Sequence, residues 1–426
     1  MCASSAAAHY IVEKKRVRYN TVANDYHYYC KTFLVFKNDY GPHNYIHMKN
    51  TFIFSVVTAC ILVGCSSKTD SDQELITFDI TEAPSVHKDL IIQDFMDVEY
   101  IPLETNDDFL HQGAIMYVGD KYIALRNMVN DGNIYIHDRS GKAISKINRR
   151  GQSGEEYAST VGVVIDGAKE ELYVNSHMNR TIQVYDLQGN YKRTLKQASG
   201  SGAFYTDMVD FDNDNLLCYA KFSRDRGFVL VSKQDGSITC DIPIPIEERK
   251  PFIGADNTFP LFYHAIFPHN EGWGLLDNSS DTIYVLKSDQ SLQPFMARTP
   301  AISTMDPGVH HIVRLISDPY IIMESITNKK DPMSGKVFSK AYFAYDVKDK
   351  SFVTYKAYNG DFTDKEELYF SSFKAANNAG QWFCVLHAPQ LVEAYNDGRL
   401  KGDLKEVASR LNEDSNPIVM LVKNKS

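Results

Sequence analysis

Several features that are common in enzymes and membrane proteins are scarce or absent in this 426-residue sequence. Its 45 Lys and Arg residues against 54 Asp and Glu residues leave a net charge of −9. This acidic balance opposes nucleic-acid binding, because phosphate contacts need clustered positive side chains. The sequence also contains no Gly-x-Ser-x-Gly elbow, no His-Glu-x-x-His helix and no Ser-x-Asp-x-Gly-x-x-Trp repeat. These absences disfavour the enzymes that use those motifs, although an enzyme site built from single residues of distant segments would escape such a search.

Cysteine is also scarce, with seven in the chain and only Cys218, Cys240 and Cys384 after residue 65. Cys218 and Cys240 fall on predicted strands that a third strand separates. Strands two steps apart lie about 9.5 Å from each other, which exceeds the roughly 7 Å that a disulfide bridges. The sequence therefore predicts no structural disulfide, and all three residues are interpreted as small apolar packing groups.

The one marked apolar run, from Thr51 to Gly64, is too short for the roughly 20 residues that span a bilayer. It follows Met48-Lys49 and ends at Cys65, which is the layout of a secretory signal. The last four residues, Leu-Val-Gly-Cys, resemble the lipobox of bacterial lipoproteins, in which the cysteine becomes the lipidated first residue of the mature protein. The resemblance implies lipidation at Cys65.

The lipobox sets the predicted domain boundaries. Residues 48–65 are the signal peptide with Met48 as the initiator, and residues 1–47 are a non-native upstream extension, with a short genuine extension as the alternative. The polar segment SSKTDSDQE follows Cys65 and predicts a solvated tether over residues 66–94. It weakly resembles the acidic export signal of some surface-exposed lipoproteins. We therefore expect an outer-membrane lipoprotein, periplasmic or surface-exposed.

One hairpin pattern recurs along the rest of the chain. Residues 134–147 (IYIHDRSGKAISKI) and 182–195 (IQVYDLQGNYKRTL) each alternate apolar and polar residues around an Asp-x-x-Gly turn, which is typical of a β-hairpin. Three more hairpins begin at Phe228, Ile283 and Tyr342, and two strand-like segments precede each hairpin. Four strands in every 45 to 60 residues, roughly, is the size of a β-propeller blade.

Five such blades extend to about residue 358, and the remaining segments predict a sixth. KEELYFSSF from Lys365, GQWFCVLH from Gly380 and NPIVMLVKN from Asn416 supply three strands, and residues 95–104 supply the outer one. An N-terminal strand in the last blade closes the ring without an exposed edge. The predicted fold is therefore an all-β, six-bladed β-propeller of four-stranded antiparallel blades over residues 95–426, with one short C-terminal helix from Asp403.

Three segments resemble a known family: DVEYIPLET at Asp97, NRRGQSGEEY at Asn148 and NEDSNPIVML at Asn412. They are similar to six-bladed, NHL-like propeller lipoproteins of the bacterial cell envelope, whose function is unknown, and the similarity covers residues 90–424. The family loop usually reads Arg-x-Gly-x-Gly-Pro-Gly-Glu-Tyr. Here residues 153–155 read Ser-Gly-Glu instead of Gly-Pro-Gly. We expect a structural loop in which the two arginines pair with the glutamate, with anion binding as the alternative; its residues are Arg149, Arg150, Gly151, Glu156 and Tyr157.

In a four-stranded blade, the loops between blades and those between the second and third strands open on one face, which is the usual ligand face. This topology places acids, bases and amides at one rim: Arg126, Asn127, Asn175, His177, Lys221, Arg224, Asp277, Asn278, Glu324 and Lys329. Such a ring suits a ligand with many hydroxyl groups, for example a glycan. The alternative is that these loops are polar only because they face solvent.

Tryptophan and histidine are two further residue types that could form a site. Trp273 and Trp382 lie in apolar strand segments, which favours a core role over stacking on a sugar. Four histidines fall in or near inner strands of the fourth and fifth blades, and their spacing matches no metal-ligand motif: His264, His269, His310 and His311. We therefore predict no metal and no cofactor.

The sequence favours a lipid-anchored, non-catalytic binding module for a glycan, peptide or protein partner. It would contact the membrane through its lipid and would not bind nucleic acid. Two alternatives stay open: a propeller hydrolase or lyase, with or without a metal, whose site lies at the central channel, and a scaffold in an envelope assembly.

The lipobox makes a direct prediction. The intact mass of the mature protein should correspond to a chain that begins at an acylated Cys65, because the signal peptide is removed when that cysteine is lipidated. A mature chain that retains residues 1–47 would contradict the assignment.

Overall fold

The computed structural model describes residues 74–111, 113–127, 129–197, 204–249, 263–327, 339–377 and 380–425. The lipobox with Cys65, the predicted extension and the predicted signal peptide lie outside these residues. Along the described chain, the first elements are β1 (Ile76–Asp79), β2 (His87–Ile91), α1 (Ile92–Phe95) and β3 (Met96–Pro102).

The described strands form six sheets, which confirms the six-bladed β-propeller. In blades 1 to 3 the spatial order of the strands follows the chain. Blade 1 consists of β4 to β7 (Ala114–Val118, Tyr122–Arg126, Asn133–Asp138, Ala143–Asn148). Blade 2 consists of β8 to β11 (Gly162–Asp166, Glu171–Ser176, Thr181–Asp186, Tyr191–Lys196). Blade 3 consists of β12 to β15 (Asp207–Asp210, Asn215–Tyr219, Phe228–Ser232, Ile238–Ile242).

Blades 4 and 5 each carry a fifth strand on the outside. Blade 4 consists of β16 to β19 (Ile266–His269, Gly272–Leu275, Thr282–Lys287, Leu292–Thr299), and blade 5 of β20 to β23 (Val309–Ile316, Tyr320–Thr327, Ser339–Asp346, Ser351–Tyr358). Strand β1 pairs in parallel with β19, and β2 pairs in parallel with β23. The structure thus differs from the predicted tether, because residues 76–91 belong to the propeller.

Blade 6 closes the ring as predicted. It contains β24 (Lys374–Ala375), β25 (Gln381–Leu386) and β26 (Ile418–Asn424), and β3 pairs antiparallel with β26 as the outer strand. The inner strand differs from the prediction: it starts at Lys374, whereas residues 370–372 form a 3₁₀ turn. The predicted C-terminal helix is present as α3 (Gly402–Ala408), and a helix that was not predicted, α2 (Ala388–Asn396), precedes it.

Burial decreases from the inner to the outer strands of a blade. In blade 2, all six residues of β9 are buried, whereas the outer strand β11 is mostly half-buried or exposed, with only Leu195 buried. Each sheet packs its faces against the neighbouring blades, so inner strands are apolar on both faces. Apolar clusters consequently run from blade to blade around the ring.

The predicted hairpin turns are confirmed at both repeats. Gly141 has φ +89° and Gly189 has φ +86°, a conformation that glycine adopts without strain. The Asp138 carboxylate accepts hydrogen bonds from the backbone N–H groups of Ser140 and Lys142, at 2.9 and 3.0 Å. Asp186 makes the same contacts in blade 2. The Asp-x-x-Gly signal therefore specifies the turn through its side chain as well as its glycine.

The cysteines and tryptophans occupy the places that the sequence suggested. Cys218, Cys240 and Cys384 are free thiols, and strand β14 separates the first two. Trp382 is buried and stacks on Phe267, with ring centroids 6.3 Å apart. Trp273 is partly buried against the same apolar cluster.

On the face opposite the second-to-third strand loops, a buried lysine joins blades 2 and 3. Lys233 Nζ lies 2.7 Å from Asp166 and 2.6 Å from Asp210. The side chains of Lys233 and Asp166 are only 3% and 5% exposed. This pair stands where two blades meet, so its loss would leave a buried carboxylate without its cation.

Replacing this lysine tests how much the pair contributes. Lys233→Met should lower the free energy of unfolding by about 3–5 kcal/mol, because breaking a buried ion pair leaves an uncompensated charge. Urea-induced unfolding at neutral pH measures the change. The control is Lys350→Met, whose partner Glu74 is exposed and which should stay close to wild type. Equal stability of the two variants would contradict the prediction.

Candidate functional site

The loops between the second and third strands of the blades open on one side of the ring, which we call the upper face. The connections between blades open on the same side. Within the described ranges, the predicted rim residues lie at or just after the ends of β5 and β9, after β13 and β17, or, for Glu324, within β21. The topology therefore puts the loop positions among them on the upper face. All of them except His177, which packs against Phe204, fall into three groups.

Residues of the first group make hydrogen bonds within the protein: Arg126 and Asn127 bond inside blade 1, and Asn175 bonds to the connection that leads into blade 3. Arg126 is buried, and its guanidinium donates to the backbone oxygen of Asn127 at 2.8 Å. Asn127 in turn donates to Asp131 at 2.7 Å. Asn175 is 1% exposed and donates to the backbone oxygen of Tyr205 at 2.8 Å. These contacts give Asn127 and Asn175 structural partners within the protein.

Members of the second group do not join a common site. Glu324 is fully buried within blade 5, where Arg314 contacts it at 2.6 Å and Lys340 at 2.6 Å. The structure thus differs from the prediction of a solvent-facing rim position for Glu324. Arg224 is exposed in the loop after β13. Lys329 lies outside the described residues.

The third group does come together, between blades 3 and 4. Lys221 Nζ lies 4.9 Å from the centre of the Tyr263 ring. The Tyr263 hydroxyl accepts a hydrogen bond from the backbone N–H of Asn278 at 3.3 Å and lies 3.0 Å from the Tyr219 hydroxyl. Tyr219 donates to Asp277 at 3.2 Å. Three predicted residues from two blades therefore share one buried cluster.

Arg249 fixes this cluster by clamping two loops. Its guanidinium binds the Asp277 carboxylate at 2.6 Å and donates to the backbone oxygens of Ser223 and Arg226, both at 2.6 Å. The loop of blade 3 that carries Lys221 is therefore tied to the loop of blade 4 that carries Asp277. Burial opposes the charge on Arg249, but Asp277 raises the pKa of the guanidinium above its usual value.

Lys221 has an unusual environment for a lysine. It is 6% exposed, and its amine lies against Tyr263 and, at 5.8 Å, against Phe222. Burial lowers the pKa of the amine to about 8, although the carboxylates of Asp207 and Asp277 act in the opposite direction. Part of the Lys221 population is therefore neutral at slightly alkaline pH.

Half-buried rings extend from this cluster across blades 3 and 2. The Phe222 and Phe204 rings are 5.7 Å apart, and Phe204 and His177 are 5.3 Å apart. His177 is held by a 3.0 Å hydrogen bond with Ser159, and burial lowers its pKa. We call His177, Phe204 and Phe222 the ring row. It gives the upper face a partly exposed aromatic surface beside a polar cluster.

Behind Asp277, a small cavity lies between blades 4 and 5. Its volume is about 10 Å³, and its lining includes Leu276, Asp277, Asn278, Ser280, Ile283, Arg298, His310 and His311. Burial, reinforced by the Arg298 charge, lowers the pKa of His310 and of His311 to about 3. Both rings are therefore neutral at physiological pH.

The loop after β7 is held by its own contacts. Tyr157 is fully buried, donates to the backbone oxygen of Gly132 at 2.6 Å and accepts from the backbone N–H of Arg149 at 3.0 Å. Arg149 donates to the Gly189 oxygen, and the Glu156 carboxylate accepts from the backbone N–H of Ser153 at 2.9 Å. The structure thus differs from the predicted arginine–glutamate pairing.

Two other contacts complete this loop. Arg150 forms a single β-bridge with Tyr157, and Gly151 passes so close to the Glu156 carboxylate that a Cβ atom would lie 1.8 Å from it. Both contacts depend on backbone positions rather than on the arginine side chains. This geometry is that of a structural loop.

Sequence reasoning missed several residues of the site. Tyr219, Arg249 and Tyr263 come from three separate segments that only the ring brings together. Phe222 directly follows Lys221 in the sequence. An aromatic residue next to a loop lysine is the sequence signal that indicates Phe222 as a site residue. Among the described residues, no group of three or more His, Cys, Asp or Glu is placed to hold a metal ion. No helix in the described ranges is long and apolar enough to span a membrane.

Comparisons with known proteins place this fold. Residues 75–423 match the model of a family described as a domain of unknown function, DUF4934. No curated protein matches the chain. One similar structure is that of a Bacteroides fragilis protein that is provisionally described as exported. Its sequence is 15% identical to this chain, and the TM-score is 0.56. The match covers 83% of this chain and 100% of that one. It shows the fold alone.

Two further solved structures are more distant. A DUF4221 family member from Bacteroides vulgatus is 11% identical with a TM-score of 0.45, and the match covers 77% of this chain and 97% of that one. A virginiamycin B lyase from Staphylococcus aureus is 10% identical with a TM-score of 0.34, covering 76% and 99%. At these values neither informs the site.

The buried histidines predict acid sensitivity. His310 and His311 have folded-state pKa values of about 3 against roughly 6.5 in an unfolded chain, so below pH 6.5 the unfolded state binds more protons. The stability is therefore fully present above pH 6.5 and is lost as the pH falls. Each histidine should remove about 2 kcal/mol between pH 7 and 5. Urea unfolding at both pH values measures the loss.

His311→Gln should lose about 2 kcal/mol less than wild type over this interval, because one buried imidazole has been removed. The control is His87→Gln, which removes an exposed imidazole. If His311→Gln keeps the full wild-type loss, the prediction fails.

Proposed function

The chain belongs to the DUF4934 family, and we propose that its propeller is a non-catalytic binding module that holds a glycan on the upper face. The ring row beside the cluster of Lys221, Tyr263 and Asp277 is the observation that carries this proposal. Flat aromatic faces accept the apolar face of a sugar ring, and a few fixed polar groups orient its hydroxyls. A peptide or protein partner is the outcome that the experiment must separate from a glycan.

Fixed geometry supports a binding role. The clamp of Arg249 holds the Phe222 loop against blade 4, and Ser159 holds His177. A ligand that meets groups already in place avoids the entropy loss of ordering them on binding. The site is therefore organised before a ligand arrives.

We further propose that the module is exported and anchored by lipid in the outer membrane. The lipobox at Cys65 supports the anchor. The B. fragilis structure, itself classed as exported, supports the compartment. A multiply acylated cysteine would hold the propeller at the membrane, because each buried CH₂ contributes about 0.8 kcal/mol.

The binding proposal is tested with the purified protein and a panel of envelope oligosaccharides, read by thermal unfolding and by calorimetric titration. A ligand at 100 times its dissociation constant adds about 2.7 kcal/mol of stability, which shifts the midpoint by a few degrees. A saccharide shift supports the proposal. No shift with any saccharide contradicts it and directs the search to protein partners.

The site is tested by Phe222→Ala. Affinity for the responding saccharide should fall about 5-fold to 150-fold, because a ring stacked on an aromatic side chain contributes roughly 1–3 kcal/mol, as for stacked nucleic-acid bases. The control is Val347→Ala, which shortens an exposed apolar side chain in the turn between β22 and β23 on the opposite face. Unchanged affinity in Phe222→Ala would remove the ring row from the site.

Lys221 favours a second candidate function, a lyase or hydrolase acting on the same ligand. A buried amine with a pKa of about 8, beside a carboxylate and two tyrosine hydroxyls, has the properties of a general base. Incubation with the bound saccharide would show product formation that Lys221→Met abolishes. Binding without turnover in the wild type leaves the module non-catalytic.

A further inference from the structure

The cavity between blades 4 and 5 contains polar groups that have no partner among the described residues. Asn278 is 8% exposed, yet neither its Oδ1 nor its Nδ2 makes a hydrogen bond. Nε2 of His311, which is 5% exposed, is also without a partner. A buried polar group that lacks a hydrogen bond costs about 1–3 kcal/mol, so an unmatched amide here needs an explanation.

The charged residues around the cavity are already engaged elsewhere. Asp277 accepts from Arg249, Tyr219 and the backbone N–H of Ser279. The Arg298 guanidinium donates to the backbone oxygens of Pro300 and Val309 and to the sulfur of Met305, and it lies 3.8 Å from Asp281. Because these charges are balanced in pairs, an ionic occupant would carry an uncompensated charge into a buried site.

The cavity atoms that still lack hydrogen-bond partners belong to uncharged side chains, so they suit an uncharged ligand group. Asn278 offers an NH2 group that donates and an oxygen that accepts, and the His311 imidazole, neutral by burial, offers a nitrogen that donates or accepts according to its tautomer. Ser280 adds no demand, because its hydroxyl donates to the Thr282 oxygen and accepts from the Thr282 N–H. A single hydroxyl group can accept from the Asn278 amide N–H and donate to the neutral His311 nitrogen.

The size of the cavity agrees with one oxygen atom. A cavity of about 10 Å³ has room for roughly one water molecule. A carboxylate, phosphate or sugar ring is too large for this space. A hydroxyl group at the end of a larger ligand fits.

We propose that this cavity is a hydroxyl subsite, in which one hydroxyl group of an uncharged, polyhydroxylated ligand binds Asn278 and His311. The inference rests on the proposed function and deepens it: it names the ligand class as a neutral saccharide and places one of its hydroxyls beside Asp277. The Oδ2 atom of Asp277 contacts Tyr219 and Arg249 of the neighbouring cluster. An amide that has no partner among the described protein groups is then retained for binding.

The first test separates stability from affinity with Asn278→Leu, which keeps the branching at Cγ and removes the polar atoms. The thermal midpoint of the free protein should stay equal or rise, because no unmatched amide is left buried. Affinity for a saccharide that binds the wild type should fall at least 10-fold. A site built to bind a hydroxyl discriminates strongly when that hydrogen bond is lost.

The matched control is Asn359→Leu. Asn359 is 3% exposed, and its Oδ1 accepts from Gln93 at 2.6 Å and from Tyr100 at 3.0 Å. This variant should lower the thermal midpoint, because it breaks hydrogen bonds that are made. If Asn278→Leu lowers the midpoint as much as Asn359→Leu, the amide has a structural role and the subsite is refuted.

The second test needs no saccharide. Crystals of the protein soaked in ethylene glycol should place a glycol hydroxyl in the cavity within hydrogen-bond distance of Asn278. A cavity that holds only water under these conditions overturns the subsite. If Phe222→Ala weakens saccharide binding but Asn278→Leu does not, the subsite fails and the proposed function stands. If no saccharide binds the wild type, the proposed function fails, and the subsite loses the ligand that it requires.

Discussion

The pairing of β3 with β26 is the constraint on which the rest of the propeller depends. It joins Met96–Pro102 to Ile418–Asn424 from opposite ends of the chain, and it turns a row of sheets into a ring. Each sheet buries its faces only against neighbouring blades, so an open row would expose two apolar faces. Strand β3 also fits closely against blade 1: Gly141, in the turn between β6 and β7, packs so tightly against Pro102 that a Cβ would lie 2.2 Å from the proline oxygen. His137 donates to the Gly141 oxygen at 2.9 Å on the same turn.

The candidate site inherits its geometry from this closure. Lys221 and Phe222 follow the second strand of blade 3, whereas Asp277 and Asn278 follow that of blade 4. Neither blade alone contains the cluster, and Arg249 makes it a unit by bonding to both loops. The cavity depends in the same way on the junction of blades 4 and 5. Sites between blades are held by sheet packing, which explains how short loops keep buried polar groups in fixed positions.

The repeat was readable because local chemistry specifies it. Asp138 and Gly141 encode a turn through one side chain and one backbone conformation, and neither needs tertiary context. Residues 76–91 are polar enough to predict a linker. Their pairing with the outer strands of blades 4 and 5 is a tertiary contact that the sequence does not show. Glu324 is the opposite case. A charged residue near the end of a strand predicts a solvent-exposed side chain, but Arg314 and Lys340 pair with Glu324 inside blade 5. Arg249 and Tyr263 belong to no sequence motif. They are close to the site only in the folded ring, so the sequence alone does not identify them.

The N-terminal segment crosses three blades before the first blade begins. Strand β1 lies on blade 4, β2 on blade 5, and β3 completes blade 6, so consecutive strands of one short segment lie on consecutive sheets. This segment acts as a belt around half of the ring. A mechanical load that enters the protein at Glu74 would act first on the hydrogen bonds between β1 and β19, then on those between β2 and β23. The closing pair would bear force only after both had parted, so the belt shields the seam from tension.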